Sequence, residues 1–167
     1  KGESLLDTAQ TLAAMGAQAM IVRAREPRIH ETLAARIACP IINAGDGARE
    51  HPTQALLDAA TVRFALGRIE GLTIAICGDI RHSRVAGSNA RLFRRLGARL
   101  RFVGPAHLMP DEDQFADVPR FSSLRDGLAG ADIVMALRMQ FERMDDELSE
   151  DVLVRLKQGD YFKEFGI

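Results

Sequence analysis

Four polar groups stand where an α/β protein does chemistry. They are Arg23, closing an apolar run; His51-Pro52-Thr53-Gln54; Gly78-Asp79 followed by Arg84; and Arg138, Gln140 and Arg143 after the last apolar run. In open α/β sheets, ligands bind outside the carboxyl ends of the strands. Three of the four groups centre on arginine, whose planar donors suit carboxylate and phosphate. Lys1, Arg23, Arg84 and Arg138 would together supply a charge of +4 if they converge. A phosphate dianion plus a dicarboxylate with a neutral amine would match it.

Other chemistries lack their residues. Cys77-Gly78-Asp79-Ile80 follows an apolar run, but a dinucleotide fingerprint needs a second glycine where Ile80 stands. There is no phosphate-binding GxxxxGK[ST] and no GxSxG, and no Ser-His-Asp order can be justified. His30, His51, His82 and His107 are not spaced as zinc ligands, so no metal is expected. His30 and His107 read as surface residues, and His82 as a loop residue without chemistry. Cys39 and Cys77 form no CxxC pair; each borders an apolar run and reads as a core thiol in a reducing compartment.

The elements that must position these groups follow from periodicity. Ser4 and Asp7 resemble a capping box for a helix carrying Leu5, Leu6, Ala9, Leu12 and Ala13, with Gly16 as the stop. Residues 19–22 read as a buried strand ending at Arg23. Residues 29–38 read as a helix, with Ile29, Leu33 and Ile37 at steps of four, and 41–43 as a second strand. Asn43 follows, then the turn chemistry of Gly45-Asp46-Gly47. His51-Pro52-Thr53 opens a long helix running to about Leu66 and closed by Gly67. The pattern then restarts, with strands at 72–77, 99–103 and 133–137 and helices at 84–96 and 124–129. Residues 144–157 carry only a weak pattern.

Strands alternating with helices imply right-handed βαβ units and parallel sheets. The expected fold is therefore α/β: two parallel-sheet domains with flanking helices, joined by a long helix, both incomplete in this segment. Residues 1–66 form part of the first domain plus the linking helix, and residues 67–167 most of the second. The chain starts at Lys1 rather than Met and stops at Ile167 without a tail, so it reads as a segment of a longer protein.

Composition bounds the partners. Hydrophobic residues make up 47% and charged residues 27%, a balance that excludes disorder. A formal charge of −1 leaves no excess to neutralise phosphates, which argues against a nucleic-acid binder. No stretch approaches the ~18 consecutive apolar residues of a membrane span.

Taken in order, the motifs resemble a known family. Lys1-Gly2-Glu3-Ser4 with Asp7-Thr8, His51-Pro52-Thr53-Gln54, Gly78-Asp79 with Ser83-Arg84-Val85-Ala86 and Ser88-Asn89, and Arg138-Met139-Gln140-Phe141-Glu142-Arg143 resemble the catalytic chains of the aspartate carbamoyltransferase family. The resemblance covers nearly all 167 residues. It implies a carbamoyl-phosphate domain followed by an aspartate domain, in homotrimers with shared sites. It implies Arg23 on the phosphate, His51 on the carbonyl oxygen of carbamoyl phosphate and Gln54 on its amide. Arg84 and Arg138 would each hold an aspartate carboxylate, Gln140 would orient the amine, and Lys1 would enter the neighbouring subunit's site. Ser4 remains only a helix cap.

The implied reaction transfers the carbamoyl group to the α-amine of L-aspartate in pyrimidine biosynthesis, with no cofactor, in the cytoplasm. A regulatory chain or a dihydroorotase partner is left open. The family's Ser-Thr-Arg-Thr loop would lie before Lys1 and its His-Pro-Leu-Pro-like loop after Ile167, so this segment alone is expected not to turn over. Residues 145–158 depart from the family pattern. Two rivals stand beside this reading. One is a carbamoyltransferase for ornithine, for which a second carboxylate clamp would be wasted. The other is a catalytically silent scaffold in a pyrimidine complex, which would be free to lose His51, Arg84 or Arg138.

Overall fold

The computed structural model describes residues 2–110 and 113–138. Its first helix, α1 (Leu5–Ala14), begins as its sequence requires: the Asp7 N–H donates to Ser4 Oγ at 3.1 Å, and the Ser4 N–H reaches back to Asp7 Oδ2 at 3.4 Å. Strand β1 (Met20–Ala24), helix α2 (Ile29–Ala34) and strand β2 (Ile41–Asp46) follow. The two strands pair in parallel, Met20 beside Ile41 and Val22 beside Asn43. Met20 joins Ala9, Ile29, Leu33 and Ile37 in one core under α1 and α2.

Two details of this first layer differ from expectation. Helix α2 ends four residues early, at Ala34, and continues as turns; the Ile37 N–H still bonds back to the Leu33 carbonyl, and its side chain is buried in the same core. His30 is not on the surface but only 7% exposed, and its Nε2–H donates to the Val22 carbonyl at 2.8 Å. The strand supplies an acceptor that periodicity could not announce, so the imidazole is buried with one nitrogen satisfied. His107 is exposed, as expected.

Helix α3 (Pro52–Leu66) carries the chain to a second sheet. It starts with Pro52 at its first turn and ends at Gly67, whose φ of 72° places it in the left-handed conformation that closes helices. The second sheet contains β3 (Thr73–Cys77), β4 (Arg99–Val103), β5 (Arg120–Phe121) and β6 (Ile133–Ala136), in the order β5-β4-β3-β6, all parallel. Strand β3 is central and buried along its whole length, which explains its unbroken apolar reading. In β4, Leu100 and Phe102 are buried and alternate with the more exposed Arg99 and Arg101, as predicted, while Val103 at the strand's end is buried as well. Strand β5, two residues long, is too short to carry a periodic signal, and the spacing predicts no strand there.

Helix α4 (Arg84–Arg95) follows β3, capped by Ser83 Oγ accepting the Ala86 N–H at 3.2 Å. It packs with Phe93 and Ala90 on the sheet, and against α3, whose Ala59 joins the same core. Because β3 pairs with β4 on one side and β6 on the other, the strand order reverses between β3 and β6. That switch point is where an open α/β sheet presents a crevice. Cys77 is buried, and burial pushes its thiol up to about 11; Cys39 packs half-exposed on the first core. Both are core thiols, as the sequence suggests.

The short helix α5 (Leu124–Leu128) lies on β4 so closely that a Cβ built on Gly127 would meet Val103 Cγ2 at 2.5 Å and Cγ1 at 2.7 Å. Overpacking of this kind costs about 1–3 kcal/mol. Gly127→Ala should therefore lower the unfolding free energy by that amount, read as a lower urea midpoint at an unchanged slope. An unchanged midpoint would mean that α5 docks more loosely than the contact implies.

Candidate active site

One cleft of about 560 Å³ gathers five of the seven residues singled out from the sequence: Arg23, His51, Gln54, Arg84 and Arg138. Its floor and walls come from the ends of both sheets and the start of α3. Lys1 and Gln140 lie outside the described residues, as does the weakly patterned stretch 144–157.

Each element delivers its residue for a local reason. Arg23 lies within β1, one residue before the strand ends, rather than after it. Alternation puts it on the exposed face with Ile21, opposite Met20 and the core. The turn after β2 is tied by Asp46, buried, which accepts the Arg28 N–H at 2.8 Å and the Arg49 guanidinium at 3.0 Å. Asn43 serves the same turn: its Oδ1 accepts the Gly45 N–H at 2.8 Å. Neither Asn43 nor Asp46 lines the cleft.

Arg84 is the first residue of α4, and its guanidinium crosses to the first sheet, donating to the Gly47 carbonyl at 2.7 Å. It passes over Gly45 so closely that a Cβ there would stand 3.0 Å from Arg84 Cζ. With φ at +136°, Gly45 is also in a backbone conformation that side chains resist. The loop before α4 is held by Asp79, fully buried, which accepts the His82 main-chain N–H at 3.2 Å and its Nδ1–H at 2.8 Å. His82 is thus a loop residue, as expected, with its ring pinned to that carboxylate.

His51 is the N-cap of α3. Its main-chain N–H donates to Ser88 Oγ on α4 at 2.9 Å. Its Nδ1 accepts the Gln54 main-chain N–H at 3.3 Å, with the Thr53 hydroxyl at 3.2 Å. A main-chain N–H only donates, so Nδ1 is the unprotonated nitrogen and the ring proton of the neutral imidazole is on Nε2. Burial holds the His51 pKa below the ordinary histidine value, and the positive charges of Arg84 and Arg23 lower it further against a smaller pull from Asp58. The arrangement is a neutral imidazole presenting one N–H donor beside several guanidinium groups. It can bind an oxygen that gains negative charge without itself giving up a proton.

Three neighbours join the site that residue spacing does not assign to it: Ser88 and Asn89, which stand in the Ser83–Asn89 motif, and Asp58, which stands outside the motifs. Asp58 Oδ1 accepts the Gln54 side-chain Nε2–H at 2.8 Å, and Oδ2 accepts the Asn89 Nδ2–H at 2.7 Å. The signal for Asp58 was available, since glutamine and aspartate four apart on a helix face each other. Asn89 lies 31 residues away in sequence, and no local pattern links them.

Comparison with known proteins falls on the same side. Residues 1–64 match the family described as aspartate/ornithine carbamoyltransferase, carbamoyl-P binding domain. Across all 167 residues the chain is 52% identical to the aspartate carbamoyltransferase catalytic subunit of Beijerinckia indica and 50% identical to that of Rhodospirillum rubrum. It covers 51% and 50% of those proteins, so the chain spans about half the length of the curated relatives it matches. Among solved structures, the catalytic subunit of M. jannaschii aspartate transcarbamoylase superposes with a TM-score of 0.80 at 30% identity, over 94% of this chain and 53% of that one. The Trypanosoma cruzi aspartate transcarbamoylase in complex with carbamoyl phosphate and aspartate gives 0.79 at 28% identity, over 98% and 54%.

The His51 geometry sets its own test. Nitrogen chemical shifts should show Nδ1 unprotonated and Nε2 protonated, with a titration midpoint below the ordinary histidine value. Arg84→Met should move that midpoint up, since it removes a lowering charge. The sign for stability follows: as pH falls below the ordinary histidine value the unfolded chain takes up this proton first, so stability falls, and the loss levels off once the folded ring also protonates. A midpoint above that value would mean that an unrecognised anion, not the arginines, governs the ring.

Proposed function

We propose that this chain, which belongs to the aspartate/ornithine carbamoyltransferase family, carries most of an active site that transfers a carbamoyl group from carbamoyl phosphate to the α-amine of L-aspartate. The products are N-carbamoyl-L-aspartate and phosphate, in pyrimidine biosynthesis. The observation that supports this reading most is the convergence of Arg23, Arg84 and Arg138 with His51 and Gln54 on one cleft at the ends of two sheets. A cleft so furnished suits a doubly anionic acyl phosphate beside a dicarboxylate.

The chemistry assigns each side chain a task. Arg23 holds the phosphate. His51 donates its Nε2–H to the carbonyl oxygen of carbamoyl phosphate. Gln54 meets the amide. Arg84 and Arg138 each hold a carboxylate of aspartate, which brings its neutral amine to the carbamoyl carbon. The amine attacks, the C=O becomes a tetrahedral oxyanion, and collapse expels phosphate while the amine loses its proton. No covalent intermediate with the protein is required. The protein contributes proximity and donors fixed in advance on the oxygen that gains charge.

Further elements of the reading lie beyond the described residues or beyond one chain. Residues 1–66 and 67–167 serve as the carbamoyl-phosphate and aspartate sides. The working enzyme is a cytoplasmic homotrimer in which Lys1 enters the neighbouring subunit's site and Gln140 orients the amine.

In the full-length protein, carbamoyl-aspartate formation tests the reading directly. His51→Ala should lower kcat by about a hundred- to a thousandfold, the usual loss for one oxyanion donor. A rise in KM alone would make His51 a uniform binding group. Arg138→Ala should raise the aspartate requirement steeply and spare carbamoyl phosphate binding; loss of the latter would move Arg138 to the phosphate side.

The trimer has a separate test. Lys1→Gln and Arg138→Ala proteins, each nearly inactive, are dissociated, mixed equally and reassembled. Closed rings with shared sites should recover about a quarter of wild-type activity, because each site draws its lysine and arginine from different chains. No recovery, with hybrids confirmed by mass, would place Lys1 outside its neighbour's site.

A further inference from the structure

Among the described residues lining the cleft, Asp58 is the single acid, set among three arginines. A carboxylate there opposes anion binding, so its presence calls for a compensating task. Its two oxygens are both engaged. Oδ1 takes the Gln54 Nε2–H at 2.8 Å, and Oδ2 takes the Asn89 Nδ2–H at 2.7 Å. Asn89 is fully buried on α4, so the acceptor facing Gln54 is anchored from behind by a side chain that cannot swing away.

The chemistry of this pair fixes more than a contact. An ionised carboxylate only accepts hydrogen bonds, whereas a glutamine amide donates from one end and accepts at the other. Gln54 can face Asp58 only with its NH₂ end. Turned over, it would set Oε1 against Oδ1, two acceptors without a proton between them. The Gln54 main-chain N–H is already spent on His51 Nδ1, which pins the backbone at the same point. Among the described residues, none donates to Gln54 Oε1.

We infer that Asp58 is a positioning residue: it holds the Gln54 amide with its oxygen toward the substrate, so that the site selects an acyl phosphate bearing N–H donors over one bearing a methyl group. The inference rests on the functional reading above and deepens it. Carbamoyl phosphate and acetyl phosphate have the same shape and charge and differ in NH₂ against CH₃. An inward-facing Oε1 accepts from the first and is left unpaired by the second. An inward-facing NH₂ would serve neither.

The test compares the two acyl phosphates on full-length enzyme with Asp58→Asn. Asparagine is isosteric but presents either an acceptor or a donor, so Gln54 is no longer held in one sense. The KM for carbamoyl phosphate should rise about tenfold, the value of one hydrogen bond to the substrate, while the inhibition constant of acetyl phosphate changes less than about twofold. Asn89→Ala, which leaves the Gln54–Asp58 bond in place, should preserve the ratio of the two constants. Equal weakening of both ligands by Asp58→Asn, or no change in either, overturns the inference, since a merely structural role would not separate them.

If Asp58→Asn does not fold, the wild-type protein still decides. The Gln54 side-chain N–H₂ protons should be protected from exchange before any ligand is added; exchange as fast as that of a solvent-exposed amide overturns the inference. Wild-type enzyme that forms no carbamoyl-aspartate overturns the functional reading, and this inference with it. Active wild-type enzyme with an unaltered ratio in the variant overturns the inference alone.

Discussion

The seam between α3 and α4 is the constraint on which the rest of the structure depends. Helix α3 joins the two sheets and shares an apolar core with α4 through Ala59, Ala90 and Phe93, and near the cleft polar bonds tie the two helices together. The His51 main-chain N–H meets Ser88 Oγ, and Asp58 meets the buried Asn89. An N–H at the first turn of a helix has no partner within the helix. Here the partner is supplied by Ser88 of α4. Misplacing α4 would leave an unsatisfied donor on α3 and a buried amide without its acceptor, each costing about 1–3 kcal/mol. That penalty places Arg23 of β1 opposite the end of β6, and the cleft is the space between them, closed by the starts of α3 and α4.

Arg84 completes the seam and shows how charge and sterics share the work. Its guanidinium is poised over Gly45 and bonded to the Gly47 carbonyl, so a cation from the second sheet is seated on the backbone of the first. The absence of a side chain at Gly45 is what lets it lie there. The same cation, with Arg23 and the burial of the ring, keeps His51 neutral. A neutral imidazole is the better donor to retain when a neighbouring oxygen becomes negative, because its N–H strengthens its bond without a competing proton loss. The arginines thus act twice: toward anions in the cleft and on the protonation state of the histidine between them.

Much of the fold is legible from residue patterns because local physics dictates it. The Ser4–Asp7 cap, the stop at Gly67, the unbroken apolar run of β3 and the alternation in β4 each follow from periods of 3.6 or 2 and from the backbone demands of single residues. The misreadings share one cause. His30 is polar and reads as surface, yet a strand carbonyl eight residues earlier satisfies it in the interior. Strand β5 is too short to carry a period, and it exists because β4 offers it an edge.

The same division runs through the site. Alternating apolar runs and helical periods are enough to establish the parallel α/β class, and with it the rule that side chains following strands face a ligand crevice. That was enough to single out Arg23, His51, Gln54, Arg84 and Arg138 and to point to small anions. Only the tertiary structure decided what those side chains do to one another. The His51 tautomer follows from the cap it forms on α3, and its lowered pKa from burial and from an arginine 33 positions away at the start of another helix. The sense in which the Gln54 amide is held follows from Asp58, whose other oxygen takes an asparagine 31 residues on. Patterning fixes which residues are periodic and where the chain turns, because those are properties of a few neighbouring dihedrals. Which donor reaches which acceptor is fixed by packing between elements distant in the chain, and no local period encodes it.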